Sequence, residues 1–169
     1  VVISLQDDSA TVDEDNSVAI AVLSNDTLST HTYGFSVETS APTNGQVLIN
    51  TDDTISYVPE ANFNGSDAFI YTVLVDDRSG SANVNVSINA INDIPIINDL
   101  VGSIAISEGQ SSVLTVSASD VEGDTLTYSL TGTDASLLSI SSDGVITFNT
   151  APVYATKSFY SITVNVSDE

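Results

Sequence analysis

Carboxylate and carboxamide side chains gather in three short segments, Asp13-Glu14-Asp15, Asn92-Asp93 and Asp120-Val121-Glu122-Gly123-Asp124. Their oxygens are the hard ligands that Ca²⁺ prefers, and a calcium ion takes about 6–8 of them. Asp and Asn also form turns and solvated surface, so an acidic cluster can be purely structural. We favour that structural interpretation for Asp52, Asp53, Asp134 and Asp143. For Asn92-Asp93 and for the segment from Asp120 to Glu122 we favour metal binding.

The charge balance of the chain supports a cation as partner. Asp and Glu number 23 against 2 Lys and Arg, for a net charge of −21 over 169 residues. Two carboxylates in close contact repel by up to about 4 kcal/mol at an effective dielectric of 20. Only Arg78 and Lys157 could offset this repulsion, whereas a divalent cation would relieve it directly. The same balance excludes a basic nucleic-acid groove and argues against docking on anionic lipid.

Other chemistries have few residues to support them. The chain has no Cys and a single histidine, His31, so a zinc site would lack its usual ligands. A Ser-His-Asp triad would have to use His31, and no nucleophile elbow accompanies it. Tryptophan is absent and aromatic residues are 7%, so no sugar-stacking platform is evident. We therefore predict that the chain is not an enzyme.

The elements that position these residues are predicted to be strands. Apolar side chains alternate with polar ones over residues 81–91, 113–118 and 160–166, and a period of two is typical of a strand with one dry face. No 3.6-residue apolar stripe persists, and no apolar run reaches the roughly 18 residues that span a bilayer. Short strands with frequent turn signals favour an all-β sandwich without membrane insertion.

The strand pattern occurs twice. Residues 69–77 resemble residues 160–168, and the acidic cluster around Glu14 resembles the one around Glu108. Pro95 suits a junction between domains because it fixes φ and lacks a donor. The predicted domains are residues 1–93 and 94–169, the second lacking its last strand. Residues 1–5 are either the first strand of the first domain, which we favour, or a strand donated to another copy.

Several fragments, in this order and spacing, resemble cadherin-like tandem repeats of large bacterial surface adhesins. In the first domain they are Val12-Asp13-Glu14-Asp15, Val22-Leu23-Ser24-Asn25-Asp26, Asn62-Phe63-Asn64-Gly65-Ser66-Asp67 and Asn92-Asp93-Ile94-Pro95. In the second domain they are Asp120-Val121-Glu122-Gly123-Asp124, Leu126-Thr127-Tyr128-Ser129-Leu130 and Val164-Asn165-Val166-Ser167-Asp168. Together they span most of the chain, from Val12 to Asp168.

The resemblance implies two Ig-like or cadherin-like Greek-key sandwiches with calcium held between consecutive domains. Carried over by position, the calcium ligands it implies are Glu14, Asn92, Asp93, Asp120, Glu122 and Asp168. Asp67 and Asp124 are further candidates. The implied protein is secreted, bacterial and located at the cell surface.

Three functional hypotheses follow from the resemblance and the composition. The first is a calcium-rigidified adhesion or structural module that contacts neighbouring repeats or like molecules, including those that hold biofilms together. The second is a subunit of an extracellular filament assembled by donor-strand exchange, with the incomplete second domain as acceptor. The third is a calcium-dependent carbohydrate-binding module of a secreted protein that degrades polysaccharide.

Overall fold

The computed structural model describes residues 2–29, 34–99 and 101–168 and divides the chain into two compact units, Val1–Ile91 and Asn92–Glu169. The predicted boundary at Asp93 lies just inside the second unit. In the described residues the regular structure is strand apart from one 3₁₀ turn, Ala135–Leu137, so the all-β prediction is confirmed. No helix among these residues has the length and apolarity needed to cross a membrane.

Unit 1 is built from nine strands in the described residues. They are β1 (Ile3–Ser4), β2 (Asp8–Asp13), β3 (Val18–Ile20), β4 (Thr27–Leu28), β5 (Ser36–Thr39), β6 (Gly45–Ile49), β7 (Ile55–Pro59), β8 (Gly65–Val75) and β9 (Arg78–Asn89). A four-stranded sheet has the order β2-β9-β8-β5, a three-stranded sheet the order β3-β7-β6, and β1 pairs with β4. All pairs are antiparallel except β2 with β9.

Period-two alternation forms the core of unit 1. Tyr71 and Val73 of β8 and Val84 of β9 are completely buried, while the residues between them along each strand face outward. Ile3 and Leu5 pack against this core, and Ile3 pairs with Leu28. The interpretation of residues 1–5 as the first strand of unit 1 is therefore confirmed over its described part.

Unit 2 has seven shorter strands among its described residues. They are β10 (Ile96–Ile97), β11 (Ser112–Thr115), β12 (Ala118–Ser119), β13 (Thr127–Thr131), β14 (Leu138–Ile140), β15 (Val145–Phe148) and β16 (Thr163–Ser167). The sheets have the orders β11-β15-β14, β13-β16 and β10-β12. All these pairs are antiparallel.

The core of unit 2 is smaller than that of unit 1. Its buried apolar residues are Val116, Leu138, Ile146 and Phe148. The turn between β14 and β15 ends at Gly144, with φ at 75°, and a Cβ there would lie 2.1 Å from the Val116 carbonyl oxygen. Only glycine allows both this backbone angle and this close approach.

Candidate metal centre

Strand pairing brings six of the eight predicted ligand positions to one end of unit 2. In the pair of β10 with β12, Ile96 lies opposite Ser119, so the segment before β10 and the loop after β12 share one end. In the pair of β13 with β16, Thr127 lies opposite Ser167, so the loop before β13 and the residue after β16 also share one end. The chain segments brought together in this way carry Asn92 and Asp93, Asp120 to Asp124, and Asp168.

Hydrogen bonds connect these segments within unit 2. The Asn92 side-chain amide donates to Asp168 Oδ2 at 2.9 Å, and the Asp93 backbone N–H donates to Glu122 Oε2 at 3.2 Å. The Asp124 backbone N–H donates to Asp120 Oδ1 at 3.1 Å. The structure thus connects Asn92 with Asp168, Asp93 with Glu122, and Asp124 with Asp120.

At this end of unit 2, the second carboxylate oxygen of Asp120 has an unusual environment. Asp120 Oδ2 is buried and has no hydrogen-bond partner. A carboxylate oxygen removed from water without a partner is costly, and a cation is one way to compensate it. The donor set of carboxylates and an amide fits a hard cation such as Ca²⁺. Within the described residues, however, no group of three or more Asp, Glu, His or Cys side chains stands at metal-binding spacing.

Glu14 lies in unit 1, immediately after β2, and is only 2% exposed. Its Oε1 accepts a hydrogen bond of 2.6 Å from the Ile91 backbone N–H, and its Oε2 is buried without a partner. Glu14 and Asp120 therefore share the same feature, one buried carboxylate oxygen left unpaired. The prediction that Glu14 contributes to the same calcium site as the ligands of unit 2 stays a prediction.

Asp67 occupies a different environment, inside unit 1. Its oxygens accept hydrogen bonds from the backbone N–H groups of Thr43, Asn44 and Ala68 and from the Tyr57 hydroxyl, at 2.8 to 3.1 Å. Burial by itself would raise the pKa of Asp67, but these hydrogen bonds outweigh it and hold the pKa below its ordinary value. Because this carboxylate is already satisfied, we leave Asp67 out of the proposed site.

Unit 1 also contains a polar cluster, formed by Asp8, Asp26 and Tyr71, that was not predicted from the sequence. The Tyr71 hydroxyl donates to Asp26 Oδ2 at 2.8 Å, and nearby Asp8 Oδ2 is buried without a partner. Burial and the charge of Asp26 raise the pKa of Asp8. The alternation of β2 could have indicated this cluster from the sequence, because it places Asp8 on the same side of the strand as Ala10 and Val12.

The comparison with protein families gives two matches along the chain. The sequence profile of a family described as Bacterial Ig domain matches residues 2–89 and, separately, residues 92–169. These two matches follow the two units of the structure. No curated protein matches the sequence. His31, the single histidine, lies outside the described residues.

Solved structures that resemble this chain include cadherin ectodomain fragments. Mouse cadherin-23 EC22-24 superposes with a TM-score of 0.57 at 20% identity over 99% of this chain and 58% of that one. Mouse protocadherin-24 EC1-3 gives a TM-score of 0.54 at 20% identity over 99% and 64%. Human protocadherin-24 EC1-2 gives 0.52 at 18% identity over 79% and 70%. The chain thus spans less than two thirds of the first two, and the likeness establishes a common fold.

Proposed function

The chain belongs to the bacterial Ig domain family, and we propose that it is an extracellular adhesion or structural module of a bacterial protein, stiffened by Ca²⁺. The proposed ligands in unit 2 are Asn92, Asp93, Asp120, Glu122 and Asp168, with Asp124 as a further candidate. Calcium bound there would fix the segment from Asn92 to Pro95 onto unit 2. In a tandem array, a stiff segment at each junction keeps the array extended.

The observation that carries this proposal is the buried, unpartnered Asp120 Oδ2. It lies at the end of unit 2 where the segments that carry the other proposed ligands meet. Asp93 and Glu122 are already connected by a hydrogen bond, and so are Asn92 and Asp168. A calcium ion would gather oxygens from segments that the fold has brought to one end of unit 2.

Calcium is favoured over other metals by the residues available. With no Cys and one His in the sequence, soft ligands for zinc or copper are scarce. Calcium accepts mixed carboxylate, amide and backbone oxygens in flexible geometry, whereas Mg²⁺ requires near-ideal octahedral geometry. The proposed ligands lie on three separate chain segments, and such a set suits Ca²⁺, whose coordination geometry is the more flexible of the two.

The adhesive part of the proposal rests on analogy of fold. The solved structures that resemble this chain include fragments of mouse cadherin-23 and of mouse and human protocadherin-24. The surplus of carboxylates would keep such a module soluble and repel anionic surfaces in the absence of a cation. Nothing in the comparisons supports binding to polysaccharide, and we do not propose it.

Calcium binding to the full chain tests this proposal, measured by isothermal titration calorimetry after treatment with EDTA. Asp120→Asn keeps the size of the side chain and an acceptor for the Asp124 N–H, but it removes the charge. We expect it to weaken calcium binding at least tenfold. Asp143→Asn is the matched control, since Asp143 is exposed in the turn between β14 and β15, and it should leave the affinity unchanged. Absent saturable binding, or an affinity that Asp120→Asn does not change, would overturn the proposal.

A further inference from the structure

The hydroxyl of Tyr71 lies inside unit 1 among more hydrogen-bond acceptors than it can serve. Tyr71 itself is completely buried. Its hydroxyl oxygen lies 2.8 Å from Asp26 Oδ2, 3.1 Å from the Gln6 carbonyl oxygen and 3.2 Å from the Val22 carbonyl oxygen. A tyrosine hydroxyl has one proton to donate. At most one of these oxygens therefore receives a full hydrogen bond, and the charged Asp26 is the strongest acceptor among them.

Asp8 brings a second carboxyl group to the same cluster. It begins β2 and lies on the inner side of that strand, with Ala10 and Val12, and its Oδ2 is buried without a hydrogen-bond partner. A buried ionised oxygen without a partner is costly, and a carboxyl group avoids that cost when it takes up a proton. The protonated form also supplies the donor that the cluster lacks.

Two carboxylates face Asp8 from different parts of unit 1. Asp26 lies in the loop between β3 and β4, and Asp7 precedes Asp8 in the chain. Burial raises the pKa of Asp8 above its ordinary value of 3.8, and the charges of Asp26 and Asp7 raise it further. Hydrogen bonding to Tyr71 and Asn25 lowers this pKa by less. The net effect is that Asp8 binds a proton more readily than an exposed aspartate does.

The other charged groups of unit 1 do not compensate Asp8. Arg78, the one basic residue in the described part of unit 1, lies at the start of β9, whereas Asp8 pairs with Val84 in the middle of that strand. The strands β1, β3 and β4 carry no charged side chain. Asp67 of β8 has hydrogen-bond partners of its own. A proton on Asp8 compensates the cluster without any further ligand.

Asp26 attaches the segment before β2 to the rest of unit 1. Its Oδ1 accepts a hydrogen bond of 2.8 Å from the Gln6 backbone N–H, while its Oδ2 accepts the one from Tyr71. Just before this segment, Ile3 and Leu5 pack against the core, and β1 pairs with β4 alone among the described strands. The cluster therefore lies between the first strand and the four-stranded sheet.

We propose that Asp8, Tyr71 and Asp26 form a proton-binding relay that makes the attachment of residues 3–8 to unit 1 depend on pH. In the closed form the protonated Asp8 donates to the Tyr71 hydroxyl oxygen, and that hydroxyl donates to the ionised Asp26. Loss of the proton leaves two carboxylates on one hydroxyl, and their repulsion loosens residues 3–8. The relay needs no calcium and goes beyond the function proposed above.

A titration of the carboxyl carbons tests the relay directly, followed by NMR of the full ¹³C-labelled chain in EDTA. We expect the Asp8 carboxyl carbon to titrate with a midpoint above 3.8. Asp26→Asn removes the facing charge, so it should lower this midpoint. Asp77→Asn is the matched control, because Asp77 is exposed in the turn between β8 and β9, and it should leave the midpoint unchanged.

Amide hydrogen exchange tests the consequence for residues 3–8. Relative to the intrinsic exchange rates, their protection should fall about tenfold between pH 4 and pH 7 for each unit by which the pKa of Asp8 differs between the closed and open forms. The pair of β8 with β9 should keep its protection. Asp8→Asn carries no charge and its amide can donate to the Tyr71 hydroxyl, so this variant should stay protected at both pH values.

Four results would overturn the proposal. The first is an Asp8 midpoint at or below 3.8, and the second is a midpoint that Asp26→Asn leaves unchanged. The third is protection of residues 3–8 that does not depend on pH, or that depends on it equally in Asp8→Asn. The fourth is protection at pH 7 that rises with added calcium in the wild type but not in Asp8→Asn, which would place a cation in the cluster instead of a proton.

Discussion

β8 and β16 have the same alternation of apolar and polar residues, but they have different neighbours. β8 is 11 residues long and has β5 on one side and β9 on the other. β16 is 5 residues long and has β13 on one side. The side chains that alternate inward are buried along β8 and half-buried along β16.

The difference shows that alternation specifies which face of a segment is apolar. Alternation alone does not make the segment a strand, because a strand also needs a neighbouring strand to which its backbone can hydrogen-bond. Residues 160–162 continue the alternation of β16, yet they form no strand in the described unit 2. A strand with one unpaired edge leaves backbone donors and acceptors to water and gains less from burial.

The largest effect is expected at Asp67, in the half of β8 that pairs with β9 alone. Asp67→Ala leaves the N–H groups of Thr43 and Asn44 and the Tyr57 hydroxyl without their acceptor. We expect unit 1 to lose at least about 3 kcal/mol of unfolding free energy. Amide exchange of β8 and β9 in the full chain measures this loss for unit 1 separately.

Glu38→Ala is the control for Asp67→Ala, because Glu38 is exposed on β5 of the same sheet, and it should change stability little. The lowered pKa of Asp67 adds a pH test. The contribution of the ionised Asp67 to the stability of unit 1 is fully present above the ordinary pKa of 3.8. It is lost as the pH falls through the lower pKa that Asp67 has in the folded state. Equal acid sensitivity of wild type and Asp67→Ala would contradict this role.

A smaller loss of stability is expected when one inward-facing valine in each of the strands β8 and β16 is shortened to alanine. Val73→Ala removes two methyl groups from a fully packed core and should cost about 2 kcal/mol. Val164→Ala does the same beside a cavity of unit 2, where the methyl groups are partly in contact with solvent, and should cost about 1 kcal/mol or less. Local amide exchange reports both losses, and equal losses would show that β16 is as well packed as β8.

The smallest effect compares two carboxylates that each have one buried oxygen without a hydrogen-bond partner, Asp8 in unit 1 and Asp120 in unit 2. The raised pKa of Asp8 means that its contribution to stability is present when it is protonated and is lost as the pH rises. Asp8→Asn should therefore raise the Tm of unit 1 at pH 7, with no gain at pH 3, whether calcium is present or not.

Asp120→Asn should behave differently if Asp120 binds calcium. In EDTA it removes a charge that is half compensated, since only Oδ1 has a hydrogen-bond partner, so the Tm of unit 2 should rise. In calcium it removes a ligand, so the Tm should fall below that of the wild type. Differential scanning calorimetry in both buffers separates the two carboxylates, and the same sign for Asp120→Asn in both buffers would contradict a calcium site.

Much of the fold was predictable from alternation and turn residues. The all-β class and the repetition of the fold are confirmed because the period of two is strong in residues 81–91 and 160–166. The length of β16 was not predictable, because residues 160–162 continue its alternation and yet lie outside the strand. The position of Asp67 was predictable in principle, since it alternates with Phe69 and Tyr71 on the inner face.

The candidate site was predictable only as a set of segments. Sequence and resemblance indicated Asn92, Asp93 and Asp120, and the register of β10 with β12 places these segments at one end of unit 2. The hydrogen bond from Asn92 to Asp168 could not be read from spacing, because it depends on where β16 ends. The environment of a carboxylate decides its role, and Asp67 and Asp120 differ in environment rather than in residue type.

The most direct test of the calcium proposal is a titration of the ¹⁵N-labelled chain with CaCl₂, followed by amide chemical shifts. The account predicts that residues 92–93, 120–124 and 168 shift together with one saturable affinity, and that Asp120→Asn abolishes this response. Small, linear shifts spread over acidic residues throughout both units, unchanged in Asp120→Asn, would show a diffuse ion atmosphere and contradict a calcium site.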